Sequence, residues 1–362
     1  MQQTSMKAGN DLADPRLPPF VIRAAETTDL SDFFDLALVA GAGFTSLPAN
    51  EALLAQRLHH SNTVFNGEHG ALFLALEDER TGRVVGCAAI KTGNTPRPDF
   101  LNFAVSDDQE CLSPSTIYGG FTEVGSLMVH PDYRQFGVGR WLAQSRYLLI
   151  AGDLDRFGDH VFSELRGIID EEKNSPFYDG VLADYLNLTY EEADYLSSHG
   201  RQAELNAMLP TDPIRLDGVS KAARTAIGSP HQDGQRALQF LEDEGFVFEG
   251  AIDLLDGGPL VVAKSRQIRT IQSSFEACIR PGDVNQSEAE AIIMSAGRGK
   301  SFRSVRGLAV VRDQSIICSP DVMEHLHVKE GDWARFCPDR RRRPLAPITR
   351  QRAQAELAGV DS

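Results

Sequence analysis

A run of apolar and small residues, Val124 to Val129, ends at His130-Pro131 and passes through Asp132-Tyr133-Arg134-Gln135-Phe136-Gly137-Val138-Gly139 into a helix-spaced segment. In that segment Val138, Trp141, Leu142, Ser145, Leu148 and Leu149 recur at i, i+3, i+4 and predict one apolar helix face. A strand that turns through two glycines into a helix admits two readings. Either the turn is merely tight, or its backbone amides are kept bare for an anion. The first N–H groups of a helix lack intrahelical partners and carry partial positive charge. Gly137 and Gly139 would remove the Cβ atoms that hold a phosphate away, and Arg134 would add a charged contact from the flank. The spacing is neither the dinucleotide G-x-G-x-x-G nor the P-loop, whose Lys is absent. The flanking strand and helix favour the phosphate cradle.

Other segments set the frame around this turn. Phe20 to Arg23 reads as a short strand after a polar leader, residues 1–20. Thr28-Asp29 caps a helix through Leu38, and a second helix covers Ala52 to Leu58. Ala71–Glu77 and Val84–Ile90 form a hairpin, whereas residues 91–120, rich in Pro, Gly, Asn and Asp, read as a long loop. A strand over His160 to Ile168 and helical segments to about residue 205 follow. Arg236 to Glu244 is a helix stopped by Gly245, and Asp256-Gly257-Gly258-Pro259 is a turn before another strand. Past about 270 short strands and turns predict a small β-barrel-like unit.

The 362 residues exceed what one core usually serves, so two or three domains are expected. A net charge of −15 argues against a nucleic-acid or anionic-membrane surface, and Arg340 to Arg343 reads as a solvated tail. Five scattered cysteines without a CxxC pair predict reduced thiols and no metal site. No run approaches the roughly 20 apolar residues that span a bilayer, and no secretory pattern opens the chain, so a cytoplasmic location is expected.

The strand, turn and helix around Gly137 resemble the pyrophosphate loop of the GNAT acyltransferases, whose element order also matches residues 20–205. More narrowly, Gly43-Phe44-Thr45-Ser46-Leu47-Pro48-Ala49-Asn50-Glu51, Glu164-Leu165-Arg166-Gly167-Ile168-Ile169-Asp170-Glu171, Ala193-Asp194-Tyr195-Leu196, Glu244-Gly245-Phe246 and Asp256-Gly257-Gly258-Pro259 resemble the arginine N-succinyltransferase family, in the same order. The resemblance implies a mixed α/β GNAT fold over 21–205, a second GNAT-like half over 206–268 completing the active site, a small β-rich domain over 269–345 and a tail over 346–362. It implies transfer of succinyl from succinyl-CoA, a co-substrate and not a resident cofactor, to the α-amine of arginine, with ornithine as a further acceptor. The family includes paralogous two-chain assemblies, so a homo-oligomer or a partner subunit stays open. Other acyl-CoA donors or amines, and a catalytically silent acyl-CoA-binding subunit, are the competing readings.

Residue by residue, the family's proton-donor histidine falls on His231 and its donor-contacting leucine on Leu127. A histidine suits acid–base work near neutral pH. Amides from Leu127 to Val129 would polarise the thioester carbonyl, and Arg134, Gly137 and Gly139 would hold the pyrophosphate. Tyr178 is a second candidate acid for the departing thiolate. Ser46, Asn50 and Glu164 are candidate acceptor contacts; Glu51 and Asp170 are further carboxylates for a guanidinium, and Glu123 or Glu164 a candidate base. The chain departs from the family in Gln232-Asp233-Gly234 after His231, in Tyr178 where the family carries Trp, and in the segment 91–122.

Overall fold

The computed structural model describes residues 19–40, 47–65, 70–93, 97–284 and 288–339. Ser46 and the run Arg340 to Arg343 lie outside the described residues. Strand β1 (Phe20–Ala24) is followed by α1 (Leu30–Ala40), α2 (Glu51–Phe65) and the hairpin β2 (Ala71–Asp78)–β3 (Arg83–Lys91). Next come β4 (Asn102–Val105), β5 (Cys111–Ser115), β6 (Thr122–Val129), α3 (Val138–Ala151) and β7 (His160–Glu164). After a helical stretch the chain adds β8 (Ile214–Arg215), the helix Gln235–Glu244, β9 (Val247–Ile252) and β10 (Pro259–Lys264). Five strands close it: β11 (Phe275–Pro281), β12 (Glu290–Ala296), β13 (Arg303–Arg312), β14 (Ser315–Cys318) and β15 (Trp333–Pro338).

The central sheet runs β1-β2-β3-β6-β7-β10-β9, antiparallel except for the parallel pair β6–β7. This is the mixed α/β arrangement expected of a GNAT fold. Residues 206–268 enter that same sheet through β9 and β10 rather than building a second one, because β10 pairs with β7 along five residues. The expected loop over 91–120 contains two strands instead. β4 joins β9, β5 joins β4, and β8 closes that edge. Their strand state comes from these partners, since the local sequence alternates too little to declare it.

Helix α2 runs seven residues past the expected Leu58, because Val64 and Phe65 still reach the core beyond a polar His59-His60-Ser61-Asn62 stretch. Strand β7 stops at Glu164, short of the expected Ile168. At Gly167 a Cβ would lie 2.2 Å from the Asp256 carbonyl oxygen, so the chain there is pressed against the 256–258 turn.

Strand β3 is apolar on both faces because both are covered. Phe33, Leu36, Leu54 and Leu58 from α1 and α2 pack with Val84, Cys87 and Ala89. Trp141, Leu142 and Leu148 from α3 pack on the other side with Val85, Ala88 and Ile90. β11 to β15 close into a barrel, with β12 pairing both β13 and β15. The barrel is not a detached bead, because Ser304 and Arg303 of β13 also pair with Ile22 and Arg23 of β1. Among the described residues no helix is long and apolar enough to cross a membrane, and the five cysteines are unpaired.

Candidate active site

The parallel strands β6 and β7 pair only at Thr122↔Val161 and Glu123↔Phe162. Beyond that point they part. The Ser163 hydroxyl crosses the opening gap to the Val124 carbonyl at 2.8 Å. β6 then bulges: its register on β3 shifts between the pairs Ala89↔Gly125 and Cys87↔Met128, and Ser126 takes the left-handed φ of 49°. A bulge bends its strand and frees backbone groups. The result is a wedge-shaped cleft whose β6 wall carries Leu127 and Val129.

One end of this cleft suits an anion. Gly137 has φ 64° and serves both as the stop of the turn Pro131–Phe136 and as the N-cap of α3. That conformation strains any residue with a Cβ, and glycine offers no side chain to cap the first amides of α3. Gly139 carries no such constraint, since a Cβ there would meet only Val129 Cγ2 at an ordinary 3.8 Å. Its lack of a side chain is therefore not required by the fold. Arg134 is exposed and tethered through Nε to the Val129 carbonyl at 3.0 Å. The Val129 oxygen is thus already occupied. Leu127 is half-buried and packs in the cluster that Ala237 and Leu238 join from the helix Gln235–Glu244.

The other end is acidic. Glu123 is buried between Lys91 Nζ at 2.6 Å and Arg97 Nη1 at 2.7 Å. Burial pushes its carboxyl up, but the two cations outweigh burial and hold it below the ordinary range. A carboxylate so committed is a poor proton acceptor. Glu164, at the end of β7, behaves oppositely. The residue as a whole is exposed, but the protein around its carboxyl, with the nearby Asp253 and Glu123, holds that group well above the usual range.

Asp253 lies between Glu164 and Asp256 and adds to the push on both carboxyls. Asp253 is itself fixed by the N–H groups of Leu255 (2.7 Å) and Asp256 (2.8 Å). Asp256 is buried and pushed well up, first by that burial and then by Asp253, despite Arg166 Nε at 3.4 Å. Arg166 Nη1 also binds Asp194 at 3.0 Å.

His231 is brought to this end by backbone. Its N–H donates to the Arg166 carbonyl at 2.7 Å, and Pro230 bridges Gly167. Its Nδ1 accepts the Asp233 N–H at 3.2 Å. The neutral ring therefore carries its hydrogen on Nε2, which is available to donate. The Gln232-Asp233-Gly234 departure supplies this cap, with Asp233 giving the N–H that sets the tautomer. His130 repeats the device, accepting the Asp132 N–H at 3.4 Å, and so has a structural explanation.

Tyr178 is not placed for proton transfer. It is fully buried against Tyr190, its hydroxyl donates to the Leu188 carbonyl at 2.9 Å, and burial pushes it up to about 12. Asn50 is exposed and its Oδ1 accepts the Leu53 N–H at 3.0 Å, capping α2 beside Glu51. Asp170 is likewise exposed and spent locally on Asn174. The structure thus gathers Glu164, His231 and the neighbouring Arg166 at one end of the cleft. Asp253, Lys91 and Arg97 complete that end from outside any sequence motif, and Arg166 lies within the family-like segment Glu164–Glu171. A cavity of about 470 Å³ opens elsewhere, between β1 and the barrel. Two of its cations, Arg23 and Arg303, are paired with Asp29, Glu77 and Glu79.

The family described as arginine N-succinyltransferase beta subunit matches residues 20–270, and its C-terminal domain matches residues 278–338. An arginine N-succinyltransferase from Yersinia enterocolitica is 30% identical over 333 residues, 87% of this chain and 96% of that protein. One from Escherichia fergusonii is 31% identical over the same shares. The solved arginine/ornithine succinyltransferase subunit AI from Pseudomonas aeruginosa superposes with a TM-score of 0.77 at 27% identity, covering 89% of this chain and 99% of that one. Matched along nearly its whole described length, the chain belongs to the arginine N-succinyltransferase beta subunit family.

Proposed function

We propose that this chain transfers the succinyl group of succinyl-CoA to the α-amine of arginine, in a ternary complex formed in the β6–β7 cleft. The observation that carries the reading is the polarity of that cleft: bare helix amides with Arg134 at one end, and the Glu164–Asp253–Asp256 carboxyls at the other. A phosphorylated donor suits the first end and a cationic acceptor the second. Gly137 and Gly139 admit the pyrophosphate, and the freed backbone of β6 near Leu127 receives the pantetheine arm and the thioester oxygen.

In the reaction the α-ammonium gives a proton to the ionised form of Glu164, on which Lys91 acts only from its pair with Glu123. The amine then attacks the thioester carbon. Negative charge collects on the carbonyl oxygen, where β6 amides stabilise it. As the C–S bond breaks, the sulfur takes a proton from Nε2 of His231 in its imidazolium form, in which Nδ1 faces the Asp233 carboxylate at 3.6 Å; the second proton of the attacking nitrogen then returns to the ring, leaving the amide and free CoA. Holding donor and acceptor side by side supplies about 7–11 kcal/mol of barrier reduction, so binding does much of the work.

The test is thiol release from succinyl-CoA or acetyl-CoA with arginine, ornithine and lysine. Turnover should be fastest with succinyl-CoA and arginine. Turnover only with acetyl-CoA would remove the succinyl assignment, and none with any pair would remove the enzyme reading.

A further inference from the structure

We propose that Arg306, on barrel strand β13, is a positioning residue for the CoA pyrophosphate, fixing from outside the cleft the peptide plane between Gly137 and Val138. The inference rests on the reading of the α3 N-terminus as the pyrophosphate site and gives the C-terminal barrel a role in it.

Arg306 Nη2 donates to the Gly137 carbonyl at 2.9 Å. In a planar trans peptide the C=O of Gly137 and the N–H of Val138 point in opposite directions. Holding the oxygen on the barrel side therefore keeps the Val138 N–H facing away from the barrel, with the other bare amides of the first turn. A glycine at that position needs such a hold, because glycine crosses between backbone conformations more freely than any other residue.

The hold itself is rigid. Arg306 Nε faces Asp339 Oδ2 at 3.2 Å, with both side chains almost wholly buried. Its guanidinium lies 5.0 Å from the ring centroid of Trp141, one helical turn into α3. The indole N–H of Trp141 donates to Ser304 Oγ at 3.0 Å, so β13 grips the start of α3 at two points. Asp339 is anchored in turn through its N–H to Ala291 of β12 at 2.9 Å. Because Asp339 balances the charge, Arg306 acts through geometry and not as a second phosphate-binding cation.

The experiment compares succinyl-CoA with S-succinylpantetheine, a donor that lacks the pyrophosphate, in wild type, R306M, R306K and G139A. For R306M the KM for succinyl-CoA should rise about tenfold, the scale of one lost hydrogen bond. Its kcat at saturating donor and its KM for S-succinylpantetheine should stay at the wild-type values. R306K keeps one donor and should lose about threefold for succinyl-CoA alone; it decides the matter if R306M does not fold. Equal losses for both donors, or no loss for succinyl-CoA, would overturn the proposal. The loop reading fails separately: it falls if wild type does not prefer succinyl-CoA, or if G139A leaves that preference intact.

Discussion

At the scale of single residues, His231 has two duties that can be pulled apart. Its Nδ1 caps a turn, while its Nε2 is left for the departing thiolate. Asn at that position can still accept the Asp233 N–H but cannot supply a proton near neutral pH. His231→Asn should therefore lower kcat about a hundredfold, at the modest end of general-acid effects, while the melting temperature and the affinity for CoA hold. Retained turnover would take His231 out of the mechanism. The same residue shows how legibility ends. Its identity as a candidate was visible through resemblance, but its tautomer depends on an N–H two residues on, in a stretch where the chain departs from its family. Tyr178 shows the reverse. A tyrosine at a plausible distance past a strand was a fair candidate from sequence, and only the Leu188 carbonyl and the Tyr190 ring show that it belongs to the core.

At the scale of elements, the cleft arises where the end of β7 meets the 253–258 turn. At Gly258 a Cβ would lie 2.1 Å from the Leu165 carbonyl, so the turn is pressed onto the strand end and forces the carboxyls together. Glu164 and Asp256 then hold protons more tightly folded than unfolded. For such groups the folded state binds the extra proton, so the stability they contribute is present at low pH. It is lost as pH rises from the ordinary carboxyl range, about 4, towards the raised folded values. Glu164→Gln should flatten the fall in melting temperature as pH rises above the ordinary carboxyl range, about 4, because the group that would release its extra proton there is gone. Parallel melting curves against pH would refute the raised Glu164 carboxyl. Adding arginine should stabilise the wild type more as pH rises and the carboxyls ionise. Strand β6 and helix α3, on either side of the Gly137 turn, were legible in the sequence. Strands β4 and β5 were not, because their few residues become strands only when β9 offers an edge. The bulge at Ser126 has no local signature either; it is a property of the pairing with β3.

At the scale of the whole molecule, the barrel and the sheet share parts. Phe302, Ile293 and Cys337 lie in the same buried cluster as Trp141 and Leu142, and β13 pairs with β1. Composition and length pointed to separable domains, and the barrel strands were anticipated, but nothing in the sequence pairs Ile22 with Ser304. Calorimetry should therefore show one cooperative transition, with equal van't Hoff and calorimetric enthalpies. Two resolved transitions would mean that the barrel melts alone.

That same pairing also has a history in time. Strand β1 is made among the first described residues, and β2 can cover one of its edges soon after; the other edge waits for Arg303 and Ser304. At about 5–20 residues per second, translation leaves that edge bare for on the order of ten seconds or more. A bare, apolar strand edge is an invitation to other chains. Among the described residues, the nascent protein thus passes through a window in which the early strand β1 waits for the late strand β13 to cover it, and slower elongation would lengthen the exposure.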